Sequence, residues 1–294
     1  MTTVKENLGW ARDHLRARGI DHPDLEAGVL LADLLHIERL RLWTDTERPL
    51  SSDEQAAFAQ LVERRGNREP LAHLRGHREF MSLDFIVSPD TLVPRPETEI
   101  LVEAILDRVS RDPLIGADIG TGSGAIVVSL AHALPAARIY ATDISASALE
   151  VAARNCARHQ VADRVTLLEG DLLAPLEGRG LEGRLDFIAA NLPYVRRAEL
   201  ATLSPEVRAE PRVALDGGED GLDLYRRLIP AAAAYLTARG LLAVEIDPRQ
   251  AAAVVRIAGG VFPHAETLTD YAGHERVVIF SPEKPDVADT AAGR

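Results

Sequence analysis

Residues 114–134 run Leu-Ile-Gly-Ala-Asp-Ile, then Gly-Thr-Gly-Ser-Gly, then Ala-Ile-Val-Val-Ser-Leu-Ala-His-Ala-Leu. An apolar strand-like run enters a turn with a glycine at every second place, and an apolar run of helical length leaves it. Few folds accept that order. It belongs to α/β proteins, in which a strand hands the chain to a helix and ligands bind beyond the strand's carboxyl end. The alternation continues from about residue 98. Strand-like runs lie at Leu114–Ile119, Arg138–Thr142 (ending at Asp143), Val165–Leu168, Leu185–Ala190, Leu241–Ile246 and Arg276–Phe280. Helical runs lie at Ala125–Leu134, Ser145–Arg158, residues 222–238 and Pro248–Ile257. The pattern predicts a Rossmann-like α/β domain, a parallel sheet wrapped by helices, over residues 98–281.

The first part of the chain has no strand signal. Val4, Leu8, Ala11 and Leu15 recur at helical spacing until Gly19. Asp24 is placed to cap a second helix with Leu25, Val29, Ala32 and Leu35 on one face, and Ser51 or Ser52 a third that Gly66 ends. Residues 1–68 are therefore expected to form a small helical domain. Residues 69–97 carry Phe80, Leu83, Phe85 and Val87 in hairpin-like alternation, then Pro89, Pro94 and Pro96. They are read as a hairpin and a stiff connector that reaches the active site. Residues 282–294 read as a flexible tail.

Composition narrows the classes. Of 294 residues, 46% are hydrophobic, enough for a full core without covalent staples. Cys156 is the single cysteine, which excludes internal disulfides and fits a reducing compartment. Met1–Trp10 is polar and no run approaches the roughly 20 apolar residues of a membrane span. A cytoplasmic protein is expected. Basic residues number 33 and acidic ones 45, a net charge of −12 that opposes general attachment to nucleic acid. Arg64, Arg65, Arg68, Arg75 and Arg78 cluster in sequence and read as a solvated helix end. His73 and His77 stand four apart but have no Cys/His cluster around them, so no metal site is expected. Cys156 reads as a buried helical thiol.

Gly120, Gly122 and Gly124, with Thr121 and Ser123 between them, permit a tight turn and close approach of a ligand to backbone. A helix N-terminus behind them offers free N–H groups. The turn alone fits S-adenosylmethionine, a nicotinamide cofactor or a plain structural turn. Asp143, at the end of the second strand, is placed to accept ribose hydroxyls, a feature both cofactors share. Asp171-Leu172 ends the third strand, where an adenine ring would lie. Asp118 either orders the turn or meets a methionine ammonium through water.

Phe187-Ile188-Ala189-Ala190 delivers Asn191-Leu192-Pro193-Tyr194 to the same sheet edge. The Asn191 side-chain oxygen and the Pro193 carbonyl are acceptors for an incoming NH₂. Tyr194 offers a flat face to a planar amide or base. An amide nitrogen is a poor nucleophile, and acceptors aimed at its hydrogens favour the positive charge that grows as it attacks. Beside a glycine turn and two acidic strand ends, this tetrapeptide points to methyl transfer from S-adenosyl-L-methionine to nitrogen.

With these residues in view the chain resembles the release factor glutamine methyltransferases, the PrmC/HemK family, over roughly residues 5–281. The matching runs are Glu69-Pro70-Leu71 with Gly76 and Glu79-Phe80, Val93-Pro94-Arg95-Pro96-Glu97-Thr98-Glu99, Asp118–Gly124, Asn191–Tyr194, Glu210-Pro211, and Ala214–Leu222. The resemblance implies a class I methyltransferase domain with a helical N-terminal domain that grips its partner. The implied activity is methylation of the glutamine amide in the Gly-Gly-Gln loop of peptide chain release factors. Gly120–Gly124, Asp143, Leu172 and Asn191 would line the cofactor site, and Asn191, Leu192, Pro193 and Tyr194 would bind the glutamine. One position departs. The family usually carries Asn-Pro-Pro-Tyr, and Leu192 stands at its first proline. Asn-Leu-Pro-Tyr is common in enzymes that methylate adenine amino groups of ribosomal RNA.

Overall fold

A computed structural model describes residues 2–109 and 114–282. The tail expected from residue 282 lies, from 283 on, outside the described residues. The chain divides into two compact units, one of residues up to His77 together with 204–209, the other of the remainder. The division falls inside the stretch read as a connector.

The first unit is helical: α1 (Val4–Ala17), α2 (Pro23–Leu34), α3 (Arg39–Thr44), α4 (Ser52–Gly66) and α5 (Leu71–Arg75), with the single-turn α9 (Pro205–Arg208) packed among them. Reciprocal caps start α1 and α4. Glu6 N–H donates to Thr3 Oγ1 while Thr3 N–H donates to Glu6 Oε2, and Ser51 and Glu54 repeat the pattern. Asp24 is not a cap. Pro23 opens α2 at its first position, where no N–H is needed, and Asp24 falls in the first turn, where its charge suits the helix dipole. The inward face shifts accordingly. Ala27, Leu30, Leu31 and Ala32 are buried, whereas Leu25 is exposed. The arginine cluster is neutralised in this unit. Arg64 pairs with Glu69, Arg65 with Glu26 and Glu206, Arg68 with Glu206, and Arg75 with Asp33.

The second unit starts at Arg78, within the expected hairpin of β1 (His77–Phe80) and β2 (Leu83–Ile86). Its sheet contains β3 (Ile115–Ile119), β4 (Arg138–Asp143), β5 (Val165–Glu169), β6 (Leu185–Ala190), β7 (Leu236–Glu245), β8 (His264–Thr269) and β9 (Glu275–Ser281), in the order β5-β4-β3-β6-β7-β9-β8. The first five strands pair in parallel, and β9 runs antiparallel to both β7 and β8. On one face pack α6 (Glu99–Leu106), α7 (Ala125–Ala133) and α8 (Ala146–Arg158); on the other pack α10 (Asp223–Ala232) and α11 (Ala251–Ile257). Strands covered on both faces read as continuous apolar runs, which is why β3 and β6 are plain in the sequence.

Two elements differ from expectation. The helix predicted over 222–238 stops at Ala232, and Leu236 already belongs to β7, opposite Leu185. The alanines at 231–234 favour helix by propensity, and strand pairing overrides them. Strand β8 (His-Ala-Glu-Thr-Leu-Thr) was not expected. It is an edge strand with no fully buried residue, so it has no apolar alternation to detect.

Candidate active site

The strand order reverses between β3 and β6. From there the chain builds outward to β4 and β5 on one side and to β7 on the other. Ile119 pairs with Ala190, so the next residues, Gly120 and Asn191, leave the sheet side by side at its switch point. A cavity of about 570 Å³ opens there. Gly120, Thr121, Gly122, Ser123, Asp143, Leu172, Asn191, Leu192 and Pro193 all line it. Gly124 and Tyr194, also singled out from the sequence, are not among its lining residues.

The glycine turn is built by backbone geometry. Gly120, Gly122 and Gly124 all have positive φ, between 55° and 81°. The N–H groups of Gly120 and Thr121 both donate to the Thr142 carbonyl, at 2.9 Å each. Gly124 meets the neighbouring helix instead of the cavity: a Cβ there would lie 3.2 Å from Ala152. Asp118 is fully buried beneath the turn, and its Oδ2 accepts from Thr121 Oγ1 at 2.6 Å. Burial pushes its carboxyl up to about 7, with the Thr121 bond pulling the other way. Of the two roles open to Asp118, the observed bond is the turn-ordering one.

Asp143 has a second task that its strand-end position did not reveal. Its Oδ2 accepts from Gly122 N–H at 2.8 Å and its Oδ1 from Ser145 N–H at 2.9 Å. It ties the turn to the start of α8. Burial raises its pKa and these backbone donors oppose the rise. The carboxylate also lines the cavity. Ile144, next in sequence, is 60% exposed and lines the cavity, an apolar wall that the sequence reading passed over. Leu172 has φ 51°, an uncommon conformation for leucine, and its carbonyl accepts from Thr142 Oγ1 at 2.9 Å. Asp171 pairs with Arg227 at 2.5 Å, and both line the cavity.

The clamp is held from several sides. Asn191 Nδ2 donates to Thr98 Oγ1 at 3.1 Å, which leaves the Asn191 oxygen as an acceptor. Tyr225, fully buried in α10, donates from its hydroxyl to the Glu245 carbonyl at 2.6 Å and lies 3.3 Å from the Leu192 carbonyl. Gln250 Nε2 donates to the Tyr194 carbonyl at 3.0 Å. Gly217 and Gly221 back the turn closely. A Cβ on Gly217 would come within 2.7 Å of the Pro193 oxygen, and one on Gly221 within 2.2 Å of the Tyr194 oxygen. The Pro193 carbonyl thus faces Gly217. Leu192 is only 3% exposed, with its Cδ2 3.0 Å from where a Gly120 Cβ would sit. Its side chain packs the clamp against the glycine turn. Burial raises the Tyr194 phenol's pKa, with Glu245 adding to the rise.

Thr98, Gly217, Gly221, Tyr225 and Glu245 were missed as contributors to the site. Thr98 and the two glycines lie inside the Pro-Arg-Pro-Glu-Thr-Glu and Gly-Gly-Glu-Asp-Gly-Leu runs. Those runs carried the resemblance without a structural reason; here Thr98 accepts from Asn191 and the two glycines back residues 193–194 closely. Glu245 had its own signal, an acid at the end of an apolar strand, as at Asp118 and Asp143.

The comparisons with known proteins agree with this geometry. A family profile for the PrmC N-terminal domain matches residues 6–76, and one for a methyltransferase domain matches 117–209. The release factor glutamine methyltransferase of Moorella thermoacetica is 50% identical over 282 residues, covering 94% of this chain and 98% of that one. The protein of the same name from Geobacter sulfurreducens is 42% identical, covering 94% and 95%. Among solved structures, the hMettl16 catalytic domain in complex with MAT2A 3′UTR hairpin 1 superposes with a TM-score of 0.56 at 15% identity, over 87% of this chain and 91% of that one. That likeness concerns the fold. The sheet order is that of a class I methyltransferase, and S-adenosyl-L-methionine is the methyl donor such a domain uses. Near-full-length identity at this level leaves one assignment: the chain belongs to the release factor glutamine methyltransferase family.

Proposed function

We propose that this protein methylates the side-chain amide nitrogen of the glutamine in the Gly-Gly-Gln motif of peptide chain release factors. The observation that carries the reading is the Asn191 amide. Its nitrogen is committed to Thr98, so its oxygen is the atom left to meet an NH₂, beside the glycine turn at the sheet's switch point. The names of the near-full-length relatives supply the acceptor.

The residues present fit the donor. The cavity of about 570 Å³ has the size of a cofactor site. Asp143 lines the cavity as an acceptor for ribose hydroxyls, Ile144 offers an exposed apolar wall to a purine, and Gly122 has no neighbour within 4 Å on its Cβ side. When bound, S-adenosyl-L-methionine supplies an electrophilic methyl group on a positively charged sulfur. Asn191 Oδ1 accepts from one amide hydrogen and favours positive charge on the attacking nitrogen. Pro193 lines the cavity beside Asn191 with its carbonyl backed by Gly217, and Tyr194, held through its own carbonyl by Gln250, anchors the turn behind them. The glutamine nitrogen forms the new bond to the methyl carbon as the carbon–sulfur pair returns to sulfur. The methylated amide is then strongly acidic and gives its surplus proton to water, so the site needs no strong base.

The helical unit supplies affinity for the intact release factor. Trp10, Leu25, Leu40 and Trp43 are large apolar side chains left exposed on it, the kind of surface that binds protein. The decisive test is Asn191→Ala in single-turnover transfer to a Gly-Gly-Gln peptide at saturating donor. Loss of one preorganised contact predicts a fall of about 10²–10³-fold. A rate within threefold of wild type would leave residues 191–194 as an ordinary turn.

A further inference from the structure

Ala190 pairs with Val244, so Asn191 and Glu245 follow side by side at the carboxyl ends of two parallel strands. Glu245 is 2% exposed, and its Oε2 has no hydrogen-bond partner. Thr98, 4% exposed, comes from the proline-rich run before α6 and accepts from Asn191 Nδ2. Below them the Tyr225 hydroxyl bonds the Glu245 carbonyl, fixing the end of β7 beneath the site. Three polar side chains from three separate elements thus converge under the clamp.

A hydroxyl that accepts from an amide must aim its own proton elsewhere. The Glu245 carboxyl, whose neighbour Asn191 leaves the sheet beside it and whose pKa Thr98 lowers, is the acceptor we assign to it. Burial pushes that carboxyl up to about 7; Thr98, Arg276 and Asn191 pull it down, and Glu97 adds to the rise. Tyr194 is the other titratable side chain facing it. An asparagine amide has two orientations of nearly equal shape. In one, its oxygen meets the incoming NH₂. In the other, NH₂ meets NH₂ and the transfer loses its acceptor. A buried carboxyl is a costly way to fill space, and an apolar side chain of similar volume serves packing better.

We infer that Thr98 and Glu245 are positioning residues for methyl transfer: the chain Asn191 Nδ2 to Thr98 Oγ1 to the Glu245 carboxyl locks the Asn191 amide with its oxygen toward the acceptor. This rests on the role given to Asn191 above. Glu245 is not among the cavity's lining residues; Thr98 is, and its side chain bonds the Asn191 amide. Both act through the orientation of one amide.

The test compares Thr98→Val, Thr98→Ser, Glu245→Gln and Glu245→Ala with Asn191→Ala. Single-turnover rates are measured on a Gly-Gly-Gln peptide, and affinities for S-adenosyl-L-methionine and for the peptide by calorimetry. Thr98→Val and Glu245→Ala should each slow transfer by about 10²-fold, the scale of a lost preorganised contact, with both affinities within threefold of wild type. Thr98→Ser keeps the hydroxyl and should stay within threefold in rate. Glu245→Gln keeps an acceptor oxygen and should lie between the wild-type and Glu245→Ala rates. Added to Asn191→Ala, either damaging change should cost less than a further threefold, because the residue they serve is gone. Wild-type rates for Thr98→Val and Glu245→Gln, or a full additional loss on the Asn191→Ala background, would overturn the inference. The parent reading fails separately, through an Asn191→Ala enzyme that still transfers methyl at the wild-type rate. Should Glu245→Ala not fold, Thr98→Val and its serine counterpart decide.

Discussion

Replacing Gly217 by alanine isolates one contact of the clamp. Gly217 does not have the positive φ of its neighbour Gly218, so the change carries no backbone penalty. Its whole effect is the added methyl. That Cβ would stand 2.7 Å from the Pro193 oxygen, 2.8 Å from Tyr194 Cα and 2.9 Å from Gly221 Cα. All three are backbone atoms, and none can swing aside as a side chain can. Ordinary contact begins near 3.4 Å, so the turn carrying Asn191 must yield by roughly 0.7 Å. Overpacking of this kind costs about 1–3 kcal/mol, and in a chain of this size each kcal/mol lowers Tm by about 2–4 °C. Misplacement approaching 1 Å at a reacting group costs about 10² in rate. Gly217→Ala should therefore lose some 30- to 100-fold in kcat by that scale, melt a few degrees lower, and bind S-adenosyl-L-methionine within threefold of wild type. Gly9→Ala is the control. It lies in α1 with nothing within 4 Å of its Cβ and should leave kcat unchanged. A Gly217→Ala enzyme of wild-type kcat would refute the view that the glycine run exists to support the clamp.

Three further outcomes follow. Asp143→Ala should weaken donor binding by about 1.5–3 kcal/mol, the value of a charge-assisted hydrogen bond, and calorimetry showing full affinity would remove Asp143 from the cofactor site. Asp118, raised from 3.8 to about 7, holds a proton in the folded chain that the unfolded chain has lost. Stability should therefore decline as pH rises from about 4 to 7, by at most roughly 4 kcal/mol from this group. Asp118→Asn, which keeps an acceptor for Thr121, should lessen the fall in Tm between pH 5 and pH 8, with Glu245 supplying what remains; an unchanged fall would contradict the assignment. Trp43→Ala, at a side chain 68% exposed in α3, should raise KM for intact release factor and leave that for a Gly-Gly-Gln peptide alone. Equal effects on both substrates would argue against a gripping role for the helical unit.

Much of the architecture was legible because its strands are buried on both sides. Ile115–Ile119 and Leu185–Ala190 are apolar but for Asp118 and Asp186, and the turn and clamp follow them without a gap. Edge and junction elements were not legible. Strand β8 has a polar sequence because one side of it has no neighbour. The start of β7 was hidden behind alanines that favour helix. Helices α3 and α5 are too short for a period to emerge. Within the site, the sequence placed donors and acceptors but not their partners. Asp143 bonds Gly122 and Ser145 N–H, and Leu192 buries its side chain against Gly120, facts that only the fold brings together. The burial of Leu192 also bears on the departure from Asn-Pro-Pro-Tyr. Its side chain packs against Gly120 while the residue also lines the cavity.

The most direct test of the central claim is peptide mapping after incubation with isotopically labelled S-adenosyl-L-methionine. The substrates are purified release factor, the same factor with its Gly-Gly-Gln glutamine changed to asparagine, and ribosomal RNA. The account predicts one added methyl group, on the glutamine amide of the unaltered factor alone. Label on ribosomal RNA with none on the release factor, or label that persists on the altered factor, would contradict it.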